Sequence, residues 1–331
     1  MSNGRADAER TGRREFLAGL GTGLLAAAGT RLEGKPSRQG GPLADPDWTY
    51  CIFSKHLQWL DYRELGVAVS RLGFDGVDLT VRPTGHVLPE KVRTDLPGAV
   101  SAVAESGVTV PTITTAITRP DGPGTREILE TASGLGIPFY RLGYYRYPEE
   151  KEISETLAEI RKSLTGLADL NRRFRICGDY QNHAGASHFG AALWDLREAL
   201  EGLPSRWLGC QFDIRHATVE GGLAWPTNFR ALAGQIHTVV VKDFRWKETS
   251  DGWKVENCPL GEGMVPVGPF LALLLKSGFA GPISLHCEYS LGGAERGRRR
   301  LTMDRERVLE SIGKDLATLK RLVGEAAASV G

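Results

Sequence analysis

The chain has 331 residues, 41% of them hydrophobic and 24% charged, with a formal net charge of +1. A chain of that length buries the core of one large or two ordinary domains. Its near-zero charge excludes the strong basic excess carried by nucleic-acid and anionic-membrane binders, and favours a small-molecule partner.

In chain order, the first 47 residues do not read as fold. Thr11-Gly12-Arg13-Arg14-Glu15-Phe16-Leu17 precedes an apolar run rich in glycine and alanine, and Ala26-Ala27-Ala28 offers small residues for cleavage. Segment 1–28 resembles a twin-arginine signal peptide, and its apolar run is too short for a stable membrane span. The expectation is a leader over 1–28, a flexible linker over 29–47, export through the Tat translocase, and a periplasmic or other extracytoplasmic destination. Cys51, Cys177, Cys210, Cys258 and Cys287 show no Cys-x-x-Cys spacing, and four lie in apolar strand-like runs. Buried inert thiols are expected rather than a disulfide framework.

From Trp48 onwards short apolar strands alternate with helix-period segments. Strands are predicted over 50–54, 76–81, 109–115, 139–143, 174–180, 208–213, 236–242 and 283–288. Amphipathic helices are predicted over 62–72, 97–106, 125–135, 153–170, 191–200 and 270–276, with a last one over 304–323. Several stop at a glycine followed by an apolar residue, as helices with a C-terminal glycine do. Eight alternations predict an α/β fold, a (β/α)8 TIM barrel forming a single domain over 48–325 with a tail over 326–331. An open doubly wound sheet is the alternative. No Gly-x-Gly-x-x-Gly follows the first strand, so no nucleotide cofactor is expected. Residues 243–257 carry a Ser250-Asp251-Gly252 turn between tryptophan-bearing arms, which predicts a hairpin serving as a lid or as surface decoration.

Barrels of this kind place their chemistry on the loops at the C-terminal strand ends. Five of the seven histidines fall there: His56, His86, His183, His216 and His286. His188 lies just inside the loop after the fifth strand, and His237 opens the seventh strand, where it should face the opposite end. On the last strand, period-two alternation puts Ser284, His286 and Glu288 on one face and Leu285 and Cys287 on the other. Arg82, Gln181, Asp213 and Lys242 stand at further strand ends. Such a rim predicts a ligand pocket. Trp59, Tyr144, Tyr145, Trp225 and Trp246 fall near the same loops, either stacking on a sugar ring or packing the core.

The chain resembles the xylose-isomerase-like barrels, which include sugar and sugar-phosphate isomerases and epimerases, inosose dehydratase and, more distantly, the endonuclease IV fold. The signals are Gly73-Phe-Asp-Gly-Val-Asp78, Phe212-Asp213-Ile-Arg-His216, Val241-Lys242-Asp243, Leu260-Gly261-Glu262-Gly263 and Gly278-Phe-Ala-Gly281. In metal-dependent members the resemblance implies a divalent cation held by a glutamate on strand five, an aspartate on strand six, a histidine on strand seven and a glutamate on strand eight. Asp213 matches the aspartate and His216 a substrate-side histidine. Gln181, Val240 and His286 replace the other three. Glutamine cannot be a general base and valine cannot ligate, so the two-glutamate mechanism does not transfer. What the resemblance leaves as a metal set is Asp213 and His286 with Gln181, or else His183 or Glu288, suited to manganese, zinc or iron.

The expected function is an exported sugar isomerase or epimerase that moves a proton next to a carbonyl of a sugar or keto-sugar. His286, His183, Glu288 and Lys242 are the expected catalytic groups, and His56, Arg82, His86, Gln181 and His216 bind substrate. The alternatives are a carbohydrate-binding barrel that has lost the chemistry and a keto-sugar lyase or dehydratase. A nuclease is disfavoured by the lack of a basic groove and of a rich metal cluster.

Overall fold

A computed structural model describes residues 47–331, and the predicted leader, with all of the linker but Asp47, lies outside the described residues. Eight parallel strands close into a barrel: β1 (Tyr50–Phe53), β2 (Gly76–Thr80), β3 (Thr109–Thr114), β4 (Phe139–Arg141), β5 (Cys177–Gln181), β6 (Leu208–Asp213), β7 (Ile236–Val241) and β10 (Ile283–Leu285), the last pairing with β1 and β7. Between β7 and β10 an antiparallel hairpin, β8 (Asp243–Thr249) and β9 (Gly252–Cys258), turns at Ser250-Asp251 as the sequence predicts.

The helices are α1 (Tyr62–Leu72), α2 (Val92–Ala104), α3 (Thr125–Gly134), α4 (Ile153–Phe174), α5 (Trp194–Leu200), α6 (Ile214–Gly221), α7 (Trp225–Leu232), α8 (Val267–Lys276) and α9 (Arg305–Val330). Their ends follow local chemistry. In α1, Asp61 accepts from the Glu64 amide while the Glu64 carboxylate accepts from the Asp61 amide, a reciprocal cap of two otherwise orphaned donors. Gly73 ends α1 at φ 85°, a conformation that glycine adopts without strain. The Phe74 amide then bonds back to Val69 and turns the chain into β2.

The outward faces of the strands, such as Ile52, Leu79, Phe212, Val239 and Leu285, pack against helix residues including Leu65, Leu96, Leu164, Phe270 and Leu316, and this shell is the hydrophobic core. The lumen is different. Ser284 on β10 donates to Asp78 on β2 at 2.9 Å, and these strands are not neighbours, so the bond crosses the inside of the barrel over β1. Thr112, Asp179 and Gln211 are also buried.

Several elements differ from the sequence expectation: β10 stops at Leu285, and α5 and α8 start at Trp194 and Val267. Phe174, predicted to open a strand, ends α4, with Arg175 in the left-handed region at φ 57°. Helix α2 begins at Val92 and runs through Pro97 instead of starting there. Two helices, α6 and α7, fill the connection after β6 where none was predicted. The last helix continues through the predicted 326–331 tail, because Ala326 and Ala327 still bury a face. All five cysteines are buried and free. No helix among the described residues is long and apolar enough to cross a membrane.

Candidate active site

The C-terminal rim is organised around one ammonium group. Lys242 follows β7 and is 3% exposed at its side chain, and its Nζ lies 3.1 Å from Asp213 Oδ2, 3.1 Å from Glu288 Oε2 and 2.9 Å from His216 Nε2. Burial works to lower its pKa, yet Asp213 and Glu288 outweigh that and hold it above the ordinary lysine value. The side chain therefore points into the mouth, and its three N–H groups are all engaged.

Asp213 ends β6 and caps α6 through Oδ1, which accepts from the His216 amide at 3.1 Å. Its Oδ2 also accepts from Gln181 Nε2 at 2.8 Å. Asn182 fixes the backbone, accepting from the Asp213 amide at 2.7 Å and donating to its carbonyl at 3.0 Å. Burial pushes the Asp213 carboxyl up against the pull of Lys242. Glu288 bridges two cations, with Lys55 Nζ 2.7 Å from Oε1. Burial opposes its charge, but Lys242 and Lys55 hold the carboxyl well below the usual range.

His286 lies one residue beyond β10, where its amide continues the ladder to the Val241 carbonyl. Its ring stacks on Phe53 at 4.2 Å between centroids and is 5% exposed. Neither ring nitrogen has a partner among the described residues; the nearest carboxylate, Asp78, is 3.9 Å from Nε2. Burial, then Lys242, press its pKa well below the ordinary value, so the ring is neutral. Glu288 lies off the strand and is tied to the two lysines, with no contact to the His286 ring nitrogens.

His183 is held by burial, then Lys242, down to about 3. Its Nδ1 donates to the Ala184 carbonyl at 2.8 Å, which leaves the lone pair on Nε2, and its ring lies 4.0 Å from that of His216. His216 is buried and pressed well below its ordinary value by burial, then by Lys242, His183 and Arg215.

Two predicted substrate binders are each tied into the fold through one ring nitrogen. His56 Nε2 accepts from the Cys287 amide at 3.0 Å, tying the loop after β1 to the end of β10, and burial brings its pKa to about 3. His86 is 7% exposed with Nδ1 3.3 Å from Thr80 Oγ1, and is brought to about 4 by burial and then Arg299. Gln181 is in place but satisfied: Oε1 accepts from Tyr144 Oη at 2.6 Å and from Arg141 Nη1 at 3.3 Å. Of the predicted stacking aromatics only Tyr144 joins this wall. Trp59 and Trp225 are buried, Tyr145 packs on Tyr180 and Phe189, and Trp246 is exposed on the hairpin. The hairpin base reaches the site through Asn257, which accepts from Arg215 Nη2 at 2.6 Å and donates to the Glu288 carbonyl at 3.3 Å.

Three residues of the mouth carry no role in the sequence reading: Arg141, and Arg215 and Asp78 within the quoted motifs. A charged residue inside the short strand 139–143 was the available signal for Arg141.

The profile of the xylose isomerase-like TIM barrel family matches residues 67–307. The chain belongs to that family. Among solved structures, a xylose isomerase domain protein from Planctomyces limnophilus superposes with a TM-score of 0.59 at 18% identity, covering 85% of this chain and 99% of that one. D-psicose 3-epimerase from Clostridium cellulolyticum H10, solved with D-tagatose, gives 0.63 at 12% identity over 83% and 99%. D-allulose 3-epimerase from Methylomonas sp., in complex with D-allulose, gives 0.59 at 17% over 83% and 97%. No curated protein matches the sequence.

Within the xylose isomerase-like family a divalent cation is expected at the barrel mouth, and the residues here do not fit one. The Lys242 ammonium sits between the Asp213 and Glu288 oxygens, and Gln181 turns its donor, not its oxygen, toward Asp213. Asp213, His286 and Gln181 are therefore not assembled as a ligand set. Among the described residues, the His, Cys and acidic atoms that do converge within 4.8 Å are those of Cys177, Asp179 and His237. They lie at the opposite end of the barrel, where Asp179 accepts from Thr238 Oγ1 at 2.8 Å and lies 2.7 Å from His237 Nδ1. A cavity of about 500 Å³ at that end is lined by His237, Phe139, Phe279 and Pro282, away from the Lys242 cluster.

Proposed function

We propose that the barrel binds a sugar or keto-sugar in its mouth and catalyses proton transfer next to the carbonyl, as an isomerase or epimerase whose fixed cation is Lys242. The observation that carries this is His286: a neutral imidazole with both nitrogens buried and unpartnered beside the Lys242 cluster. Membership of the xylose isomerase-like family and the sugar-bound relatives support the substrate class.

In the proposed step His286 takes the proton from the carbon beside the carbonyl. The C–H electron pair moves into a C=C bond, and the carbonyl oxygen becomes an enolate oxygen. Lys242 stabilises that charge as a preorganised cation in a buried site, by field rather than by a free N–H. Return of the proton to the other face of the same carbon gives an epimer, and return to the neighbouring carbon, with a hydroxyl proton relocating, gives an isomer. His183, whose Nε2 carries a lone pair, is the second proton carrier. Loss of a β-leaving group from the same enolate would make the protein a lyase.

Incubation with a keto-sugar panel in heavy water, followed by proton NMR, tests the proposal. Deuterium entering the carbon next to the carbonyl is expected. Sugar binding without exchange across the panel would instead leave a carbohydrate-binding barrel. We also propose that residues 1–28 direct Tat-dependent export: replacing Arg13 and Arg14 with lysine should hold the protein in the cytoplasm, and unchanged localisation would refute it.

A further inference from the structure

The charges of the mouth do not balance locally. Asp213 and Glu288 are paired with Lys242 and Lys55, each within 3.1 Å. Arg82, Arg141 and Arg215 are left over, and among the described residues none forms an ion pair with a carboxylate. Asp78, the remaining lumen acid, accepts instead from Thr114 and Ser284 hydroxyls, and burial pushes its carboxyl up. Arg141 is 4% exposed; its Nε has no partner, and its Nη atoms make only long bonds of 3.3 Å to Gln181 Oε1 and the Thr115 carbonyl. A guanidinium cannot shed its proton to relieve burial, and the Asp78 carboxylate that Arg141 and Arg82 act on from a distance is already bonded to two hydroxyls, so the pair can take a further anion in direct contact.

Arg82 and Arg141 are placed to share one. Arg82 follows the end of β2 and Arg141 ends β4, the two strands flanking β3, so their bases stand about 10 Å apart by two strand spacings. The Arg82 guanidinium lies 5.5 Å over the Phe53 ring, which itself stacks on His286, and that of Arg141 lies 4.6 Å over Tyr144. Arg82 thus reaches the His286 side of the mouth and Arg141 the Gln181 side.

We propose that Arg82 and Arg141 form an anion subsite, and that the substrate is a sugar bearing a carboxylate or a phosphate. The inference rests on the mouth taking sugar-type substrates and names their class. The anion is held beside His286, so the acidic C–H of the bound sugar is presented to the imidazole.

Calorimetric titration of the intact protein at low salt tests it, with D-glucuronate, its neutral methyl ester, D-glucose and D-glucose 6-phosphate as probes. At least one anion should bind about ten- to a hundredfold more tightly than its neutral counterpart, the margin of a charge-assisted bidentate contact. Whether it is the glucuronate or the phosphate identifies the charged group. The preference should shrink with added salt. It should collapse in Arg82→Gln and be partly kept in Arg82→Lys; Arg82 is less buried than Arg141, and thermal melts of both variants confirm folding. Equal affinity for charged and neutral probes, no saturable binding of either anion up to millimolar concentrations, or a folded Arg82→Gln protein that keeps the preference would each overturn the subsite. Anion preference without hydrogen exchange would keep the subsite and refute the proton-transfer proposal. Exchange on neutral keto-sugars without anion preference would do the reverse.

Discussion

Replacing Lys242 with methionine removes the central charge while keeping much of the volume. The ammonium lies 3.1 Å from both Asp213 Oδ2 and Glu288 Oε2. At an effective dielectric of about 20 each contact is worth about 5 kcal/mol of gross attraction, against several kcal/mol spent in desolvating the ammonium. Glu288 keeps Lys55 at 2.7 Å, whereas Asp213 keeps Gln181 Nε2, the His216 amide, the neutral His216 ring at 3.5 Å and the more distant field of Arg215, with no cation bonded to it. The cost should therefore come mainly from an uncompensated Asp213 and amount to about 3–5 kcal/mol at pH 7.5 by urea denaturation. Lowering the pH should reduce it, because Asp213 is already pushed up by burial and can accept a proton once its cation is gone. Adding Asp213→Asn to Lys242→Met should recover a large part of the loss. A cost below about 1 kcal/mol, or additive effects of the two substitutions, would refute the central pairing.

Four further outcomes follow from the same geometry. His56 is held near 3 and His86 near 4 against an unfolded value of about 6.5, so the unfolded chain binds the extra protons below pH 6.5. Stability is then full above about pH 6.5 and falls as the pH drops toward the folded values, by about 2 kcal/mol from His56 alone at pH 5. Urea melts from pH 8 to 5 should show the fall, and His56→Gln should flatten it. The rate of hydrogen exchange should stay level as the pH falls below 6.5, because His286 remains an unprotonated base there, and an acid limb at the ordinary histidine value would contradict its placement. Asp243 accepts from the Phe244 and Val265 amides through Oδ1 and from Gly261 and Gly263 through Oδ2. Asp243→Ala should cost at least about 3 kcal/mol by orphaning four donors. Gly263→Ala should disrupt the same loop, since a Cβ there collides with the Asp243 carboxylate.

The barrel was legible because its signals are local. Glycines such as Gly73 end helices at positive φ, and β7 reads as a nearly continuous apolar run because a parallel strand is covered on both faces. The rim was legible as a concentration of polar strand ends, which correctly brought Asp213, Lys242, Gln181, His216 and His286 to one mouth. Their pairing was not. Whether Lys242 reaches Asp213 or pairs with Asp243 depends on side-chain direction across two strands, and Asp243 is in fact consumed by the loop amides. The ties of His56 and His86 into the fold were hidden for a related reason: one lone pair is taken by the Cys287 amide, and the other ring is packed against Thr80. Arg141 was hidden inside a strand, where a charged side chain matters only once the lumen around it is known.

The central claim is that a lysine ammonium stands where xylose isomerase-like barrels are expected to hold a divalent cation, and that His286 moves the proton. The most direct test is the rate of deuterium incorporation into a responsive keto-sugar, measured after exhaustive dialysis against a chelator and again after adding manganese or zinc. The account predicts the same rate in both samples, and a loss of at least about a hundredfold in a folded His286→Gln variant. A rate abolished by the chelator and restored by the metal, with His286→Gln unimpaired, would contradict it.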